Sequence, residues 1–355
     1  MSAAVPAGLL ADLRDLAPAQ EKAGADCRPA FARMAAAGVT RWAVPEAYGG
    51  EARPAADRMA GLEAMAAENL CATFVLTQFE AAVGRLAACD NEPLKCELLP
   101  TFTAGEAFTT VGISHLTTSR RHLGRPAVAA EPDGDGFRLT GTLPWCTAAG
   151  MADLVLVGAE LPDGRQFLAF VPTGGEGVTV ADPPELLALS ASRTTEISFD
   201  RTPVAAARLV AGPVEEVMRQ GSGGTGSVGT SALAVGHAAG ALRGLAAEAE
   251  KRPELRETVE PLERERAALH ADVARIAAAE RVEDLPAGLT AQSVRARANS
   301  LSLRAAQAYL TASKGAGFVA GHPAGRLVRE AMFFQVWSCP APVAARALRE
   351  FACGL

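Results

Sequence analysis

The spacing of hydrophobic residues divides the first two thirds of the chain into a helical part and a β-rich part. Apolar residues recur at helical spacing over 8–37, 54–72 and 72–88, and the last of these stretches is almost continuously apolar. From Gly136 to Asp200 the pattern changes to short β-type runs separated by Gly, Pro and Asp, about ten residues apart. This rhythm predicts an antiparallel β-barrel or sandwich.

Helical spacing returns in the last third of the chain. The periodic stretches there predict a bundle of about four helices: 230–249, 260–281, 290–313 and 325–351. The predicted fold class is therefore α+β, with an N-terminal helical domain, a central antiparallel β-barrel or sandwich domain, and a C-terminal four-helix bundle. The predicted domains are residues 1–107, 108–212 and 213–355.

Composition and charge disfavour several classes of protein. Of the 355 residues, 49% are hydrophobic and 21% are charged, which is typical of soluble globular proteins. The net charge is −6 without a dense Lys/Arg cluster, so we expect no nucleic-acid partner. The apolar runs are too short for a membrane span and no signal peptide is evident, so we expect no membrane association. The preference for Arg over Lys suggests a GC-rich bacterial genome.

The cysteines indicate a reducing environment. There are seven, an odd number, and no Cys-x-x-Cys pair occurs. This pattern argues against a disulfide framework and against a structural zinc site. We therefore expect no metal and a cytoplasmic location.

A glycine-rich segment from Gly221 to Gly229 precedes a predicted helix. Such loops can bind phosphate groups. Because no strand leads into this one and no Lys-Ser/Thr follows, we favour a linker or helix start over a phosphate site.

Four local motifs, in this order, resemble the acyl-CoA dehydrogenase superfamily of flavoproteins. Val44-Pro-Glu-x-Tyr-Gly-Gly50 looks like the family's N-terminal signature. The run Gly136-Phe-x-Leu-x-Gly with Trp145-x-Thr and Ala152-Asp looks like its β-domain signature. Ser192-x-Thr-x-x-Ile-x-Phe-Asp200 resembles the strand that closes that domain, and Gly315-x-Gly-Phe with Arg326-Leu-x-Arg resembles the C-terminal region. The resemblance covers nearly the whole chain.

The resemblance implies FAD bound between the β-domain and the C-terminal bundle, where protein contacts tune the flavin. The residues that would lie at the cofactor are Ile113, Ser114, Trp145, Thr147, Ser192 and Thr194. Alternative roles exist, because Trp145 could pack a β core and Thr194 could satisfy a turn.

The family is usually dimeric or tetrameric, so the resemblance implies a homo-oligomer, or a hetero-oligomer with a related subunit. One subunit often contributes to its neighbour's FAD site through an Arg-x-x-Phe sequence. Here the corresponding run is Arg252-Pro-Glu-Leu255, which keeps the arginine and loses the aromatic residue. A solvated charge is the alternative for Arg252.

The chain departs from the family where the catalytic base is expected. Dehydrogenation of an acyl-CoA requires a carboxylate that removes the α-proton. Ser338 occupies the position of the family's usual Glu, and Cys339-Pro340 replace Gly-Thr. The alternative position, at the start of the first bundle helix, also lacks a carboxylate. The Ser338 hydroxyl remains a candidate for orienting the substrate.

The loop that meets the flavin pyrophosphate in the family is also rewritten. His115 stands in place of the loop's Glu, and Arg120 and Arg121 follow. Flavin monooxygenases on this fold use polar or His residues instead of the Glu base, so His115 is a second catalytic candidate. The arginines could pair with phosphate or simply lie on the surface.

Two further residues are weaker candidates for chemistry. His237, on an apolar helix, is predicted to be a satisfied core residue. Cys339 lacks an evident His partner, which disfavours a nucleophilic role.

Three hypotheses follow. The first is a FAD-dependent oxidoreductase of acyl-CoA dehydrogenase type with an altered active site, acting on an acyl thioester or a related small molecule. The second is a flavin-dependent monooxygenase on the same fold. The third is a non-catalytic subunit of a hetero-oligomeric complex.

Overall fold

The computed structural model describes residues 5–116, 126–219, 227–337 and 339–352. The described helices are α1 (Ala7–Leu16), α2 (Arg28–Ala36), α3 (Ala55–Glu68), α4 (Leu70–Ala87), α5 (Glu92–Ala104), α6 (Ser227–Lys251), α7 (Arg256–Ala278), α8 (Ala291–Gly317), α9 (Pro323–Val336) and α10 (Ala341–Phe351). The described strands are β1 (Thr109–Gly112), β2 (Val128–Asp133), β3 (Gly136–Cys146), β4 (Leu154–Glu160), β5 (Gln166–Pro172), β6 (Val178–Val180), β7 (Thr195–Val204) and β8 (Leu209–Val214).

The eight described strands form one sheet of mostly antiparallel order. The spatial order is β6-β7-β3-β2-β4-β5-β8, and β1 pairs with β4 in parallel. The long strand β3 pairs with β7 in a register shifted twice, and bulges of this kind bend a sheet. β4 and β5 pair without a shift over their whole length.

Strands β4 and β5, inside this sheet, are buried on both faces. In β5, Phe167, Ala169 and Val171 pack in a core formed by the strands themselves, whereas Leu168 and Phe170 pack in a larger core shared with the helices. Such double burial explains why β4 and β5 read as continuous apolar runs and not as alternating ones. The sheet is thereby fixed against the helices on one side.

A single asparagine separates the two apolar helices of the N-terminal part. Asn69 has φ −152°, and its side chain accepts a hydrogen bond from the Ala72 amide at 3.0 Å, which caps α4. By length and composition α4 is apolar enough to cross a membrane, but most of it is buried inside the protein. It packs against β1, α3 and α5, and it carries Phe74 to the site described below.

Two glycines allow the N-terminal and C-terminal helices to come close together. A Cβ atom at Gly236 would lie 2.2 Å from the Glu63 carbonyl oxygen, and one at Gly240 would lie 2.5 Å from that of Ala67. Helix α6 therefore packs directly against the backbone of α3.

Helices α6 to α9 pack against one another, and the short helix α10 packs against α8. The predicted fold class is confirmed: helical N- and C-terminal parts flank a central, mostly antiparallel sheet. The stretch 325–351, for which one or two helices were expected, forms two: α9 ends at Val336, and Pro340 is the N-cap residue of α10. The domain boundaries stay predictions.

Candidate active site

A cavity of about 620 Å³ lies where the sheet, α4 and α9 meet. Its volume falls in the range of small-molecule sites. Two sets of residues line it. The first set, here called the β-wall, consists of Ser114, Trp145, Leu186, Leu187, Ala188, Leu189, Ser192 and Thr194. The second set, the helical wall, consists of Phe74, Arg329, Met332, Phe333, Val336, Trp337 and Cys339.

A turn with left-handed residues at both ends positions the hydroxyls of the β-wall. Leu189 has φ 62° and Arg193 has φ 49°, and they flank the 3-10 turn Ser190–Ser192. Non-glycine residues rarely adopt this conformation, so neighbouring contacts must hold them in place. One such contact is the hydrogen bond that the Ala148 amide donates to the Ser192 carbonyl at 2.8 Å.

The β-wall hydroxyls form a short hydrogen-bonded chain. Ser192 Oγ and Thr194 Oγ1 lie 2.8 Å apart, and Thr194 Oγ1 donates to Thr147 Oγ1 at 3.3 Å. The Thr147 carbonyl in turn accepts from Thr110 Oγ1 at 2.6 Å. Ser192 and Thr194 line the cavity, and Thr147 stands behind them with 1% of its surface exposed.

The structure brings four of the six predicted flavin contacts together at the cavity: Ser114, Trp145, Ser192 and Thr194. The Trp145 side chain is 55% exposed, so it does not pack in the β core, which was its alternative role. Ile113 packs partly buried against the main core instead. Arg252 lies at the end of α6, where it pairs with Glu248 at 2.7 Å and donates to the Ala312 carbonyl.

The two predicted catalytic residues differ in how far the structure describes them. His115 is 7% exposed, and its Nε2 atom donates to the Gly158 carbonyl at 3.0 Å. It is thus buried against β4, which differs from the exposed loop position considered from the sequence. Ser338 lies outside the described residues, as do Arg120 and Arg121, and its role stays a prediction.

The helical wall carries a cluster of three aromatic side chains, here called the aromatic cluster: Phe74, Phe333 and Trp337. The ring centroid of Phe74 lies 4.6 Å from that of Phe333 and 4.8 Å from that of Trp337, both edge-on. Phe333 and Trp337 are stacked, with centroids 5.6 Å apart and planes at 21°. These geometries are favourable for aromatic pairs.

A buried arginine holds the end of α9 and therefore the aromatic cluster. Arg295 is 1% exposed, and its guanidinium donates to the Trp337 carbonyl at 3.1 Å and to Asn299 Oδ1 at 2.9 Å. Asn299 donates to the Phe334 carbonyl at 2.7 Å. These bonds satisfy carbonyls that the end of a helix leaves unpaired. Burial lowers the pKa of Arg295 to about 10.

A second buried polar group, here called the Glu330 cluster, lies beneath α9: Glu330, Arg326, His237 and Ser302. The Glu330 carboxylate is 3.3 Å from Arg326 and 3.7 Å from His237 Nε2, and His237 Nδ1 shares a 2.8 Å hydrogen bond with Ser302 Oγ. Burial raises the pKa of Glu330 and lowers that of His237 to about 3. His237 is thus a neutral core residue with one of its two nitrogens hydrogen-bonded.

Sequence reasoning missed the residues that support α9. A signal was present, because Arg295, Asn299 and Ser302 recur at helical spacing on α8 and form a polar stripe. All three side chains are buried. A polar stripe on a buried helix face indicates partners on neighbouring helices.

Among the residues that the structure describes, no Asp or Glu lines the cavity. The ionisable residues at its surface are Arg329 and Cys339. Arg329 pairs with Glu21 and donates to the Gly325 carbonyl at 3.1 Å. Burial raises the pKa of the Cys339 thiol, and the nearby Arg295 offsets this only in part.

The residues at the cavity fit a flavin ring system. The hydroxyls of Ser114, Ser192 and Thr194 can hydrogen-bond the ring's polar edge, and the exposed indole of Trp145 can pack against its apolar face. A planar, conjugated group with polar atoms along one edge therefore matches the β-wall.

Comparison with known sequences gives acyl-CoA dehydrogenases. The chain is 25% identical over 334 residues to a probable acyl-CoA dehydrogenase, fadE25, of Mycobacterium leprae, and the match covers 87% of this chain and 83% of the relative. It is 24% identical to YngJ, a probable acyl-CoA dehydrogenase of Bacillus subtilis, with 86% and 84% covered. No protein-family model matches the chain.

Comparison with solved structures gives the same fold. A glutaryl-coenzyme A dehydrogenase in complex with glutaryl-CoA superposes with a TM-score of 0.81 at 18% identity, covering 97% of this chain and 94% of that one. A glutaryl-CoA dehydrogenase of Mycobacterium smegmatis in complex with FADH2 gives 0.81 at 16% identity, with 97% and 93% covered. KijD3 in complex with dTDP gives 0.80 at 22% identity, with 98% and 95% covered.

The motif order, the fold and the curated relatives agree, and a flavin is the cofactor that they support. The sequence relatives and the shared fold together support membership of the chain in the acyl-CoA dehydrogenase superfamily.

Proposed function

We propose that this protein is a FAD-dependent oxidoreductase of acyl-CoA dehydrogenase type with an altered active site. The observation that carries the proposal is the pairing of the two walls: hydroxyls and an exposed indole on one side of the cavity, and an aromatic surface on the other. FAD, when bound, supplies the acceptor for electrons from the substrate. Ser114, Ser192 and Thr194 would hold its polar edge, and Trp145 would pack against it.

The proposed substrate is an acyl thioester or a related small molecule. The similar glutaryl-coenzyme A dehydrogenase was solved with glutaryl-CoA, which supports an acyl thioester. The described cavity residues offer no carboxylate to accept an α-proton, and the sequence has Ser338 at the family's Glu position. The residues of this chain therefore bind and orient the substrate, and no described side chain acts as a carboxylate base.

The missing carboxylate specifically favours a second candidate, a flavin-dependent monooxygenase on the same fold. Among solved structures with this fold, KijD3 was determined with a nucleotide. A substrate that is oxygenated need not lose an α-proton to a carboxylate, so the cavity chemistry is compatible with this reaction.

An anaerobic reduction experiment separates these two candidates. Acyl thioesters are added to the FAD-loaded protein without oxygen, and the visible absorption of the flavin is recorded. The first candidate predicts bleaching of the flavin. The second predicts no bleaching, with substrate-dependent oxygen uptake once the flavin has been reduced by other means. A protein that binds FAD but shows neither response would contradict both and would support the non-catalytic subunit.

A single substitution sharpens the assignment of the substrate. Because the sequence has Ser338 where the family has Glu, we expect a Ser338→Glu variant to gain acyl-CoA dehydrogenation. The matched control is Ser300→Glu on α8, which places the same charge outside the cavity lining. A Ser338→Glu variant that binds FAD but gains no activity would count against a thioester substrate.

We further propose that the functional unit is an oligomer, either a dimer or tetramer of this chain or a hetero-oligomer with a related subunit. Arg252 is the candidate for a contact with a neighbour's FAD, and 24% of its side chain remains exposed beside Glu248. An Arg252→Ala variant with weaker FAD binding and unchanged stability would support this role.

A further inference from the structure

The helical wall of the cavity is chemically uniform over most of its extent. Phe74, Met332, Phe333, Val336 and Trp337 present carbon-rich surfaces, with polar contributions from Arg329 and Cys339. Among the residues that the structure describes, the hydroxyls that line the cavity belong to the β-wall. A ligand group against the centre of the helical wall thus meets aromatic and aliphatic carbon and few hydrogen-bonding partners.

Within the helical wall, the three rings of the aromatic cluster touch one another and leave part of their surfaces free. Phe333 lies in the last turn of α9 and Trp337 is the C-cap residue that follows it. Their rings are stacked at 21° and are only partly buried, whereas Phe74 is 2% exposed beneath them. Aromatic rings pair with further rings in offset or edge-on geometries, with an attraction beyond simple burial of area. The cluster therefore offers a surface that favours a planar ring over a flexible alkyl chain.

The aromatic cluster is held in place before any ligand binds. The Arg295 guanidinium and the Asn299 amide bond the carbonyls of Trp337 and Phe334, and both side chains are at most 2% exposed. On the buried side of α9, the Glu330 carboxylate lies 3.7 Å from His237 Nε2 of α6. A surface fixed in this way avoids the entropy cost of ordering side chains upon binding.

The charges around the cavity favour an uncharged ligand group. Among the described residues of the lining, Arg329 carries the formal charge, and it already pairs with Glu21. A carboxylate placed against the aromatic cluster would lose water without gaining an opposite charge.

We propose that the substrate carries a neutral aromatic group, which binds against Phe74, Phe333 and Trp337 on the helical wall. This inference rests on the proposed function, because it names the class of acyl group that the cavity accepts. The reacting part of the substrate then lies toward the β-wall, where the hydroxyls are.

The test compares two coenzyme A thioesters whose acyl groups have equal carbon numbers, 3-phenylpropanoyl and nonanoyl. Their dissociation constants are measured on the FAD-loaded protein from the change in the flavin spectrum, and by calorimetry on the protein without flavin. By apolar area alone the alkyl chain binds tighter. We expect the phenyl compound to bind about tenfold tighter, a factor that corresponds to about 1.4 kcal/mol. Equal or weaker binding of the phenyl compound would overturn the inference.

Substitutions in the aromatic cluster test whether its rings cause the tighter binding of the phenyl compound. We expect Phe333→Leu and Trp337→Leu each to lose most of the preference for the phenyl compound. Phe351→Leu on α10, an exposed Phe outside the cavity lining, is the matched control and is expected to retain it. Preference retained in both cluster variants would contradict the assignment, and if a variant does not fold, the comparison on the unaltered protein decides alone.

The experiment separates failure of this inference from failure of the proposed function. A protein that does not bind FAD contradicts the proposed function, while calorimetry still measures the ring preference. A protein that binds FAD and prefers the nonanoyl compound contradicts the inference and leaves the proposed function intact.

Discussion

The two walls of the cavity are built on different principles. The β-wall positions its hydroxyls by local means: a short turn between two left-handed residues and a hydrogen-bonded chain from Ser192 through Thr194 to Thr147. The helical wall depends on distant residues, because α9 is held by Arg295 and Asn299 of α8 and by the Glu330 cluster. The local arrangement falls within one short motif, whereas the support of α9 appears in the sequence only as a polar stripe on α8 whose partners lie elsewhere in the chain.

This difference predicts that substituting a residue that holds α9 lowers the free energy of unfolding far more than substituting a β-wall residue. Glu330→Ala removes the partner of Arg326, whose side chain is only 15% exposed. Breaking a buried ion pair from one side costs about 3 kcal/mol. We therefore expect the free energy of unfolding, measured in urea, to fall by about that amount.

The matched control is Glu283→Ala, which removes an exposed glutamate. We expect its free energy of unfolding to change by less than about 0.5 kcal/mol. Equal effects of the two substitutions would show that the Glu330 cluster does not support the wall.

Buried His237, a member of the Glu330 cluster, makes the stability of the protein depend on pH. Native His237 has a pKa of about 3, and the unfolded imidazole has one near 6.5. The unfolded state thus binds more protons as pH falls below 6.5, so the stability that His237 contributes is lost on acidification. Between pH 6.5 and 5, we expect the unaltered protein to lose about 1.5 kcal/mol more than a His237→Asn variant.

The asparagine in that variant keeps a hydrogen-bonding atom for Ser302. The control is His322→Asn, at the N-cap of α9, where asparagine also caps well. Parallel stability curves for the unaltered protein and His237→Asn would mean that His237 is not held neutral by its burial. The raised pKa of Glu330 acts in the opposite direction, and Glu330 is present in both proteins.

Substitutions in the β-wall are expected to show the reverse pattern: a small loss of stability and a larger loss of FAD affinity. Thr194→Val keeps the shape and removes the hydroxyl bonded to Ser192 and Thr147. We expect the free energy of unfolding to fall by about 1 kcal/mol and FAD binding to weaken about tenfold.

Thr142→Val is the control, because Thr142 also bonds a neighbouring hydroxyl, that of Ser198, but does not line the cavity. Unchanged FAD affinity in Thr194→Val would show that its hydroxyl serves only the turn. That outcome would restore the alternative considered from the sequence.

The fold class could be predicted from the sequence, and so could several residues that line the cavity, for reasons visible in particular residues. Trp145, Ser192 and Thr194 sit in contiguous motifs, and each lines the cavity. The boundary between α3 and α4 was predicted near residue 72, and the structure places it at Asn69, whose capping bond depends on one side chain. Arg295 was missed, because its partners are carbonyls some forty residues away in sequence and have no side-chain signature.

His115 shows the limit of reasoning from position alone. Its place in the motif predicted a catalytic residue or an exposed one, and the structure buries it against the Gly158 carbonyl of β4. That bond depends on where β4 passes, which the spacing of His115 along the chain does not encode.

The cavity between the β-wall and the helical wall is proposed to bind a flavin. This binding is best tested by titrating the purified protein with FAD and recording its visible absorption and tryptophan fluorescence. We expect saturable binding, the near-ultraviolet and blue absorption bands of oxidised flavin, and quenched fluorescence, because Trp145 and Trp337 both line the cavity. A folded protein that stays colourless and keeps its fluorescence would contradict the flavin site and both flavoenzyme proposals.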